Sequence, residues 1–342
     1  MEQNKYSLYK GNTLKLDAPY REYFILEDGD AKETILSMRF NADILVRHGI
    51  QFTFRNMRHS ATQRLVNHYL MADGSKIQDQ PGYETMTYNQ QFQNRDPRMA
   101  QTLMAPGYVD LNGIDEVIED CKSYDMTGYR FIKFVSDDTH NGATTSTTDW
   151  PVFRYPEILL TYAEAKAELG EFSETVWNAT IKLLRERAGV DGAMPSAYDP
   201  YMAEYFLNTT TDMAILEIRR ERGIELLLEN CRWDDDMRWG MGRLLERPWY
   251  GVYVGELGKV YDMDGDGSGD VCFVRENPPV TEPGVTYRVL GGDYALTDGD
   301  SGYIECYIRM NRKWDDKKYV RPIPTTALND NPALGQNPGW KK

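Results

Sequence analysis

Residues 213–240, MAILEIRRERGIELLLENCRWDDDMRWG, form the longest strongly periodic stretch of the chain, and their reading sets the fold class. Arg222, Glu225, Glu229 and Arg232 recur at spacings of three, four and three, so a helix through them carries plus, minus, minus, plus along one face. Ile224, Leu227, Leu228 and Cys231 form an apolar stripe at the same spacing, about two positions round the wheel. The pattern predicts one helix from Met213 to Trp233 and a sharp exit through Trp239 and Gly240. Such a charged face is either a solvated surface, where each pair contributes about 0.2–0.5 kcal/mol, or an interface whose Arg and Glu groups are paired between neighbouring helices. Trp233 and Trp239 flank the exit and favour the covered interface. Neither reading makes the glutamates catalytic.

Upstream, Pro156 suits a first helical turn, and Ile158, Tyr162, Ala165 and Leu169 then share a face until Gly170. Ser173 can cap a second helix running to Ala188 and closed by Gly189. This pair, residues 156–189, has the length of a tetratricopeptide unit, and Ala163, Ala165 and Ala167 allow close approach of its helices. The helix at 213–240 would stack on it. The expected fold is mainly α, a tetratricopeptide-like superhelical core with long irregular loops and a few short strands.

Other segments read more simply. Thr34 to Phe40 alternates as a strand, and Ala61 to Met71 reads as a short helix ending at Asp73-Gly74. Residues 74–108 are a long loop with one short helix at Tyr88 to Asn94; loops of that length in compact domains are commonly functional. Tyr129 to Ser136 alternates as a strand. Residues 241–318 form a loop-rich insert with strand candidates at Gly269 to Val274, Thr286 to Leu290 and Tyr303 to Met310. Residues 319–342, with Pro322, Pro324, Pro332 and Pro338, form an expected extended tail.

Four stretches in order resemble the SusD/RagB family of surface glycan-capture lipoproteins. They are Arg95-Asp96-Pro97-Arg98; Phe153-Arg154-Tyr155-Pro156-Glu157-Ile158-Leu159-Leu160 with Tyr162-Ala163-Glu164-Ala165; Glu221-Arg222-Gly223-Ile224-Glu225-Leu226 with Glu229-Asn230-Cys231-Arg232-Trp233 and Arg238-Trp239-Gly240; and Arg321-Pro322-Ile323-Pro324 with Gln336-Asn337-Pro338-Gly339-Trp340. The resemblance implies one SusD-like domain over 1–342, corresponding to the C-terminal part of the family sequence. It implies non-catalytic capture of an oligosaccharide at the bacterial cell surface, delivery to a SusC-like TonB-dependent outer-membrane transporter, and anchoring as an outer-membrane lipoprotein in the full-length protein. A rival of another class is a tetratricopeptide scaffold that binds a peptide on its concave face.

Composition limits the ligand. A net charge of −14 argues against nucleic acid, whose recognition rests on basic patches, and leaves a neutral glycan as the expected partner. The chain's 23 Tyr and 7 Trp supply flat faces for sugar rings. Around the Arg-Asp-Pro-Arg turn, Tyr83, Tyr88, Asn89, Gln91 and Tyr108 are the candidate sugar contacts, by their resemblance to the region where family members place such residues. Trp249, Tyr250 and Tyr253 form a second aromatic cluster. For each ring, core packing is the competing account.

Asp262-Met263-Asp264-Gly265-Asp266-Gly267-Ser268-Gly269-Asp270 is a DxDxDGxxD loop, either a calcium loop with Asp262, Asp264, Asp266 and Asp270 as ligands or an Asp-Gly surface turn. Position twelve of the loop is Phe273, which departs from an EF-hand. Cys121, Cys231, Cys272 and Cys306 show no CxxC spacing, and His48, His59, His68 and His140 show no metal spacing. No nucleophile elbow, Walker loop or dinucleotide fingerprint is present, so the reading is a binding protein and not an enzyme.

Overall fold

The computed structural model describes residues 5–56, 59–112, 126–136 and 142–341. The first elements are α1 (Pro19–Tyr23), β1 (Thr34–Met38), α2 (Ile50–Asn56), α3 (Gln63–Val66), α4 (Tyr88–Phe92) and α5 (Pro97–Thr102). Next come β2 (Trp150–Arg154), α6 (Tyr155–Glu168), α7 (Glu174–Asn178), α8 (Ile181–Ala188), α9 (Pro200–Tyr205), α10 (Met213–Glu225) and α11 (Arg232–Arg238). Strands β3 (Trp249–Val254), β4 (Val260–Tyr261), β5 (Val271–Val274), β6 (Thr286–Val289), β7 (Tyr294–Leu296) and β8 (Gly302–Cys306) follow, and α12 (Thr325–Asp330) closes the chain. The short strands make three small sheets: β1-β2, β3-β8-β7 and β4-β5-β6.

Helix α10 is the axis of the helical half. It packs on α6, α8 and α9, and Leu159, Leu160, Ala163, Trp177, Ile181, Leu184, Ile218 and Leu226 form the shared apolar cluster. Local signals set the ends of its neighbours. Pro156 lies in the first turn of α6, the Ser173 hydroxyl accepts from the Val176 amide at 3.4 Å, and Gly189 takes φ of 81° to close α8.

The charges of α10 are inside. Arg98 donates to Glu221 and, at 2.9 Å, to Glu225. Arg154 reaches Glu33 at 2.8 Å, Glu225 at 2.7 Å and Glu229 at 2.6 Å. Arg187 bonds to Glu225, and Arg185 to Glu217 and Glu221. Burial alone would raise the Glu225 carboxyl, but Arg187, Arg154 and Arg98 outweigh it and hold the group well below the usual range. At Glu33 burial wins over Arg187 and Arg154, and the carboxyl is raised. The Arg95-Asp96-Pro97-Arg98 turn is part of this network. Asp96 caps α5 through the Arg98 amide at 2.9 Å and pairs with the Arg98 guanidinium at 2.7 Å.

Three expected elements are shorter than the periodicity suggests, for one physical reason. The helix expected through Trp233 stops at Glu225, because the carbonyls of Glu225 and Leu227 are taken by side chains. Tyr20 Oη donates to the Glu225 carbonyl at 2.6 Å and Lys133 Nζ to that of Leu227 at 2.6 Å. Leu228 and Asn230 then turn the chain with φ of 64° and 66°, presenting Glu229 to Arg154 and Lys133. The helix expected over Ala61 to Met71 ends at Val66, since Arg95 bonds to the carbonyls of Val66 and Tyr69 at 2.7 and 2.9 Å. The helix expected from Ser173 to Ala188 breaks at Thr180, whose hydroxyl bonds back to the Val176 carbonyl at 2.6 Å.

Residues 129–136 are extended only in part, joined by bridges from Arg130 to Ser60 and from Phe131 to Leu103. The tail, expected to be extended, contains α12 and is doubled back: Gln336 brackets the Ile323 amide and carbonyl at 2.7 and 3.0 Å, and Trp340 Nε1 donates to Val320 at 2.8 Å. Residues 241–318 are less irregular than expected, since β3 to β8 give them two sheets.

Candidate functional site

A surface of tyrosines forms where β3 and β8 meet the 3₁₀ turn Tyr83–Thr85. On a regular strand Tyr250 and Tyr253 would point to opposite faces. A bulge between them in the β3-β8 register restores the same face. Both rings therefore meet Tyr303, which is stacked on Tyr250 at 6.1 Å and edge-on to Tyr253 at 5.6 Å. Gly251 sits inside the bulge; a Cβ there would lie 2.2 Å from the Thr127 carbonyl, so the strand could not approach with any side chain.

Two hydroxyls of this surface are tied down. Tyr303 Oη donates to the Glu84 carbonyl at 2.5 Å, and Tyr83 Oη to the Glu84 carboxylate at 3.3 Å. Burial, with the Glu84 charge adding to it, raises the phenols of Tyr303 and Tyr83, so both stay neutral. Arg64 lies over the Tyr250 ring at 5.6 Å. Tyr201, its phenol pushed up to about 12 chiefly by burial, stands beside Arg64 and Tyr205.

The same 3₁₀ turn borders a second feature. A cleft of about 430 Å³ opens beside Gly82 and Thr85 and is lined by the amides Gln80, Gln90, Gln93 and Asn94 over an apolar base of Met71 and Ile77. Side-chain amides offer two donors and an acceptor each, which matches the alternating hydroxyls of a sugar.

The five candidate sugar contacts separate. Tyr83 is half-buried on the tyrosine surface, and Asn89 is half-buried on α4. Tyr88, Gln91 and Tyr108 are buried, which corrects their assignment as surface contacts. Tyr88 stacks on Tyr129 at 5.6 Å and bonds to the Met104 carbonyl. Gln91 accepts from Arg95 at 3.4 Å, and Tyr108 lies under Arg21 at 4.6 Å while its hydroxyl accepts from that guanidinium at 2.9 Å. Their rings and amides are spent on the core. Tyr250 and Tyr253, read as a separate cluster, are joined to Tyr83 through Tyr303 and Glu84. Alternation marks the strand that carries Tyr303 but not the register that brings it onto this face.

In the Asp-Gly loop, carboxylate oxygens of Asp262, Asp264 and Asp270 all lie within 4.8 Å of one another. Asp266 is not in that group; its carboxylate accepts from the Ser268 amide at 2.6 Å, which corrects the four-ligand set. Burial raises the Asp270 carboxyl, and the neighbouring Asp264 and Asp262 charges add to the effect. Carboxylate oxygens are the kind of ligand that a hard ion such as calcium takes. The loop touches α4: a Cβ on Gly265 would lie 2.0 Å from Asn89 Nδ2.

Cys231 and Cys272 are free thiols, the buried Cys306 donates its thiol to the Met126 carbonyl at 3.1 Å, and Cys121 and His140 lie outside the described residues. No helix among the described residues is long and apolar enough to cross a membrane.

The sequence model of the SusD family matches residues 55–340. No match is found among curated proteins. Among solved structures, a SusD-like protein from Bacteroides fragilis superposes with a TM-score of 0.61 at 21% identity, over 98% of this chain and 59% of that one. A SusD-like carbohydrate-binding protein from the same organism gives 0.60 at 21% identity, with the same coverage of 98% and 59%. The chain thus spans 59% of the length of these two relatives.

Proposed function

The chain belongs to the SusD family, and from that premise we propose that it captures an oligosaccharide, without turnover, on the tyrosine surface built by Tyr83, Tyr250, Tyr253 and Tyr303. The observation that carries this reading is the bulge that turns Tyr250 and Tyr253 toward one ring, next to an amide-lined cleft on the other side of the Tyr83–Thr85 turn. A sugar ring stacks its C–H face on an aromatic ring, and the amides take its hydroxyls. Neutral phenols and amides perform this task without moving charge.

The same reading includes a cell-surface lipoprotein anchor and hand-over of the glycan to a SusC-like TonB-dependent transporter. It also treats α6, α7, α8 and α10 as a tetratricopeptide-like unit. Family membership supports these parts. For the Asp-Gly loop we propose calcium, held by Asp262, Asp264 and Asp270 and steadying α4 through Asn89 beside the cleft. The closeness of the three carboxylates supports it.

Affinity electrophoresis in gels containing soluble polysaccharides tests the capture. The expected result is retardation by at least one polysaccharide, lost in a Tyr253→Ala/Tyr303→Ala variant that still melts cooperatively, with the polymer undegraded. Equal retardation of variant and parent would refute the tyrosine surface. Depolymerisation would refute a purely binding role. Retention of a peptide library but of no glycan would favour the scaffold reading.

A further inference from the structure

Resting on the glycan reading above, we infer that the tyrosine surface selects sugars bearing an anionic substituent, a carboxylate or sulfate, through Arg64. Most buried arginines of this chain have their charge answered. Arg98, Arg154, Arg185, Arg187 and Arg220 meet carboxylates. Arg95 bonds to carbonyls, and Arg219 is sandwiched between Phe206 and Trp239 at 5.1 and 4.8 Å.

Arg64 has none of these arrangements. It is half-exposed, one ring lies beneath it, its Nε is buried without a hydrogen-bond partner, and it makes no ion pair among the described residues. That ring is Tyr250, stacked on Tyr303, so the guanidinium stands one ring away from the stacking face. Arg247 adds a second unspent donor. Its Nη2 bonds to Glu204 at 3.0 Å, whereas Nη1 is buried and unpartnered, over Tyr205 at 5.4 Å. Beneath them lies His68, fully buried with both ring nitrogens unpartnered. It is kept neutral first by burial and then by the positive charges of Arg232, Arg220, Arg247 and Arg64.

The carboxylates on this face leave Arg64 unanswered. Glu84 accepts from Tyr83 and Glu204 from Arg247, while Glu305, opposite Tyr250 in the register, makes no ion pair with Arg64. A guanidinium seated on a ring presents a planar fork that fits a carboxylate or sulfate. The chain's net charge of −14 does not oppose this at contact distance, because physiological salt screens exposed charges beyond about 8 Å.

Isothermal titration with paired oligosaccharides tests the inference: oligogalacturonate against its methyl ester, and oligo-κ-carrageenan against its desulfated form. The expected result is binding about tenfold or more tighter for the acidic member of one pair. That preference falls away in Arg64→Gln, which keeps its affinity for the neutral member, and survives in Arg64→Lys. The pair that responds identifies the substituent. Equal affinity for the members of both pairs, or an Arg64→Gln variant that weakens acidic and neutral members alike, overturns the inference and leaves the tyrosine surface standing. Binding of none of the four, with retardation only by neutral polysaccharides in the gel assay, overturns the inference alone, and binding of no glycan in either assay overturns both.

Discussion

Glu225 accepts from Arg98, Arg154 and Arg187 in a place where water does not reach. The pairs need not add net stability over a well-packed apolar core, because desolvation opposes the Coulomb gain. Removing one partner is a different matter, since it leaves three guanidinium groups short of an anion. Glu225→Gln is expected to cost about 3–5 kcal/mol in chemical denaturation, and a loss below about 1 kcal/mol would contradict the network. His68 contributes a pH dependence. Its folded pKa lies well below that of an exposed imidazole, so near pH 6.5 and below the unfolded chain binds a proton that the native chain refuses. Stability therefore falls as pH drops through that range, by up to about 1.4 kcal/mol per pH unit. His68→Gln is expected to flatten the slope of unfolding free energy between pH 7.5 and 5.5, and an unchanged slope would exclude His68 as its source.

At the scale of elements, the ends of helices divide what the sequence reveals from what it hides. Pro156, Ser173 and Gly189 act within one turn of their own helix, and the starts of α6 and α7 and the stop of α8 were legible for that reason. Tyr20, Arg95 and Lys133 end α10 and α3 from far along the chain, with Tyr20 separated from Glu225 by 205 positions, and no periodicity reports them. The paired-interface reading of Arg222, Glu225, Glu229 and Arg232 was legible as a charge pattern; which groups would answer it was not, and Arg232 falls on α11, where it pairs with Asp236 at 2.8 Å. The Asp-Gly loop makes its own prediction. Calcium in excess should raise the melting temperature by a few degrees, as ligand bound only to the native state must, and Asp264→Asn should abolish the rise. An equal rise in parent and variant would move the ion elsewhere.

Across the whole molecule, the site was half legible. Tyr83 could be named from the family resemblance around the Arg-Asp-Pro-Arg turn, and Tyr250 and Tyr253 with Trp249 as an aromatic cluster. Tyr88 and Tyr108 look the same in sequence, yet both are core, because burial is decided by what packs against a loop and not by its composition. Tyr303 was hidden by the bulge, a shift of register that brings Tyr250 and Tyr253 onto one face. Gly251 allows the bulge to lie against Thr127 but touches no ligand in the proposed mode. The most direct measurement is titration of the polysaccharide that retards the parent in gels into Tyr253→Ala/Tyr303→Ala and, as a control on the core, into Tyr108→Phe. The account predicts that the double variant loses binding by about a hundredfold or more, each stacked ring contributing about 1–2 kcal/mol, while Tyr108→Phe binds as the parent does. Undiminished binding by the double variant, with loss in Tyr108→Phe, would place the sugar elsewhere and contradict it.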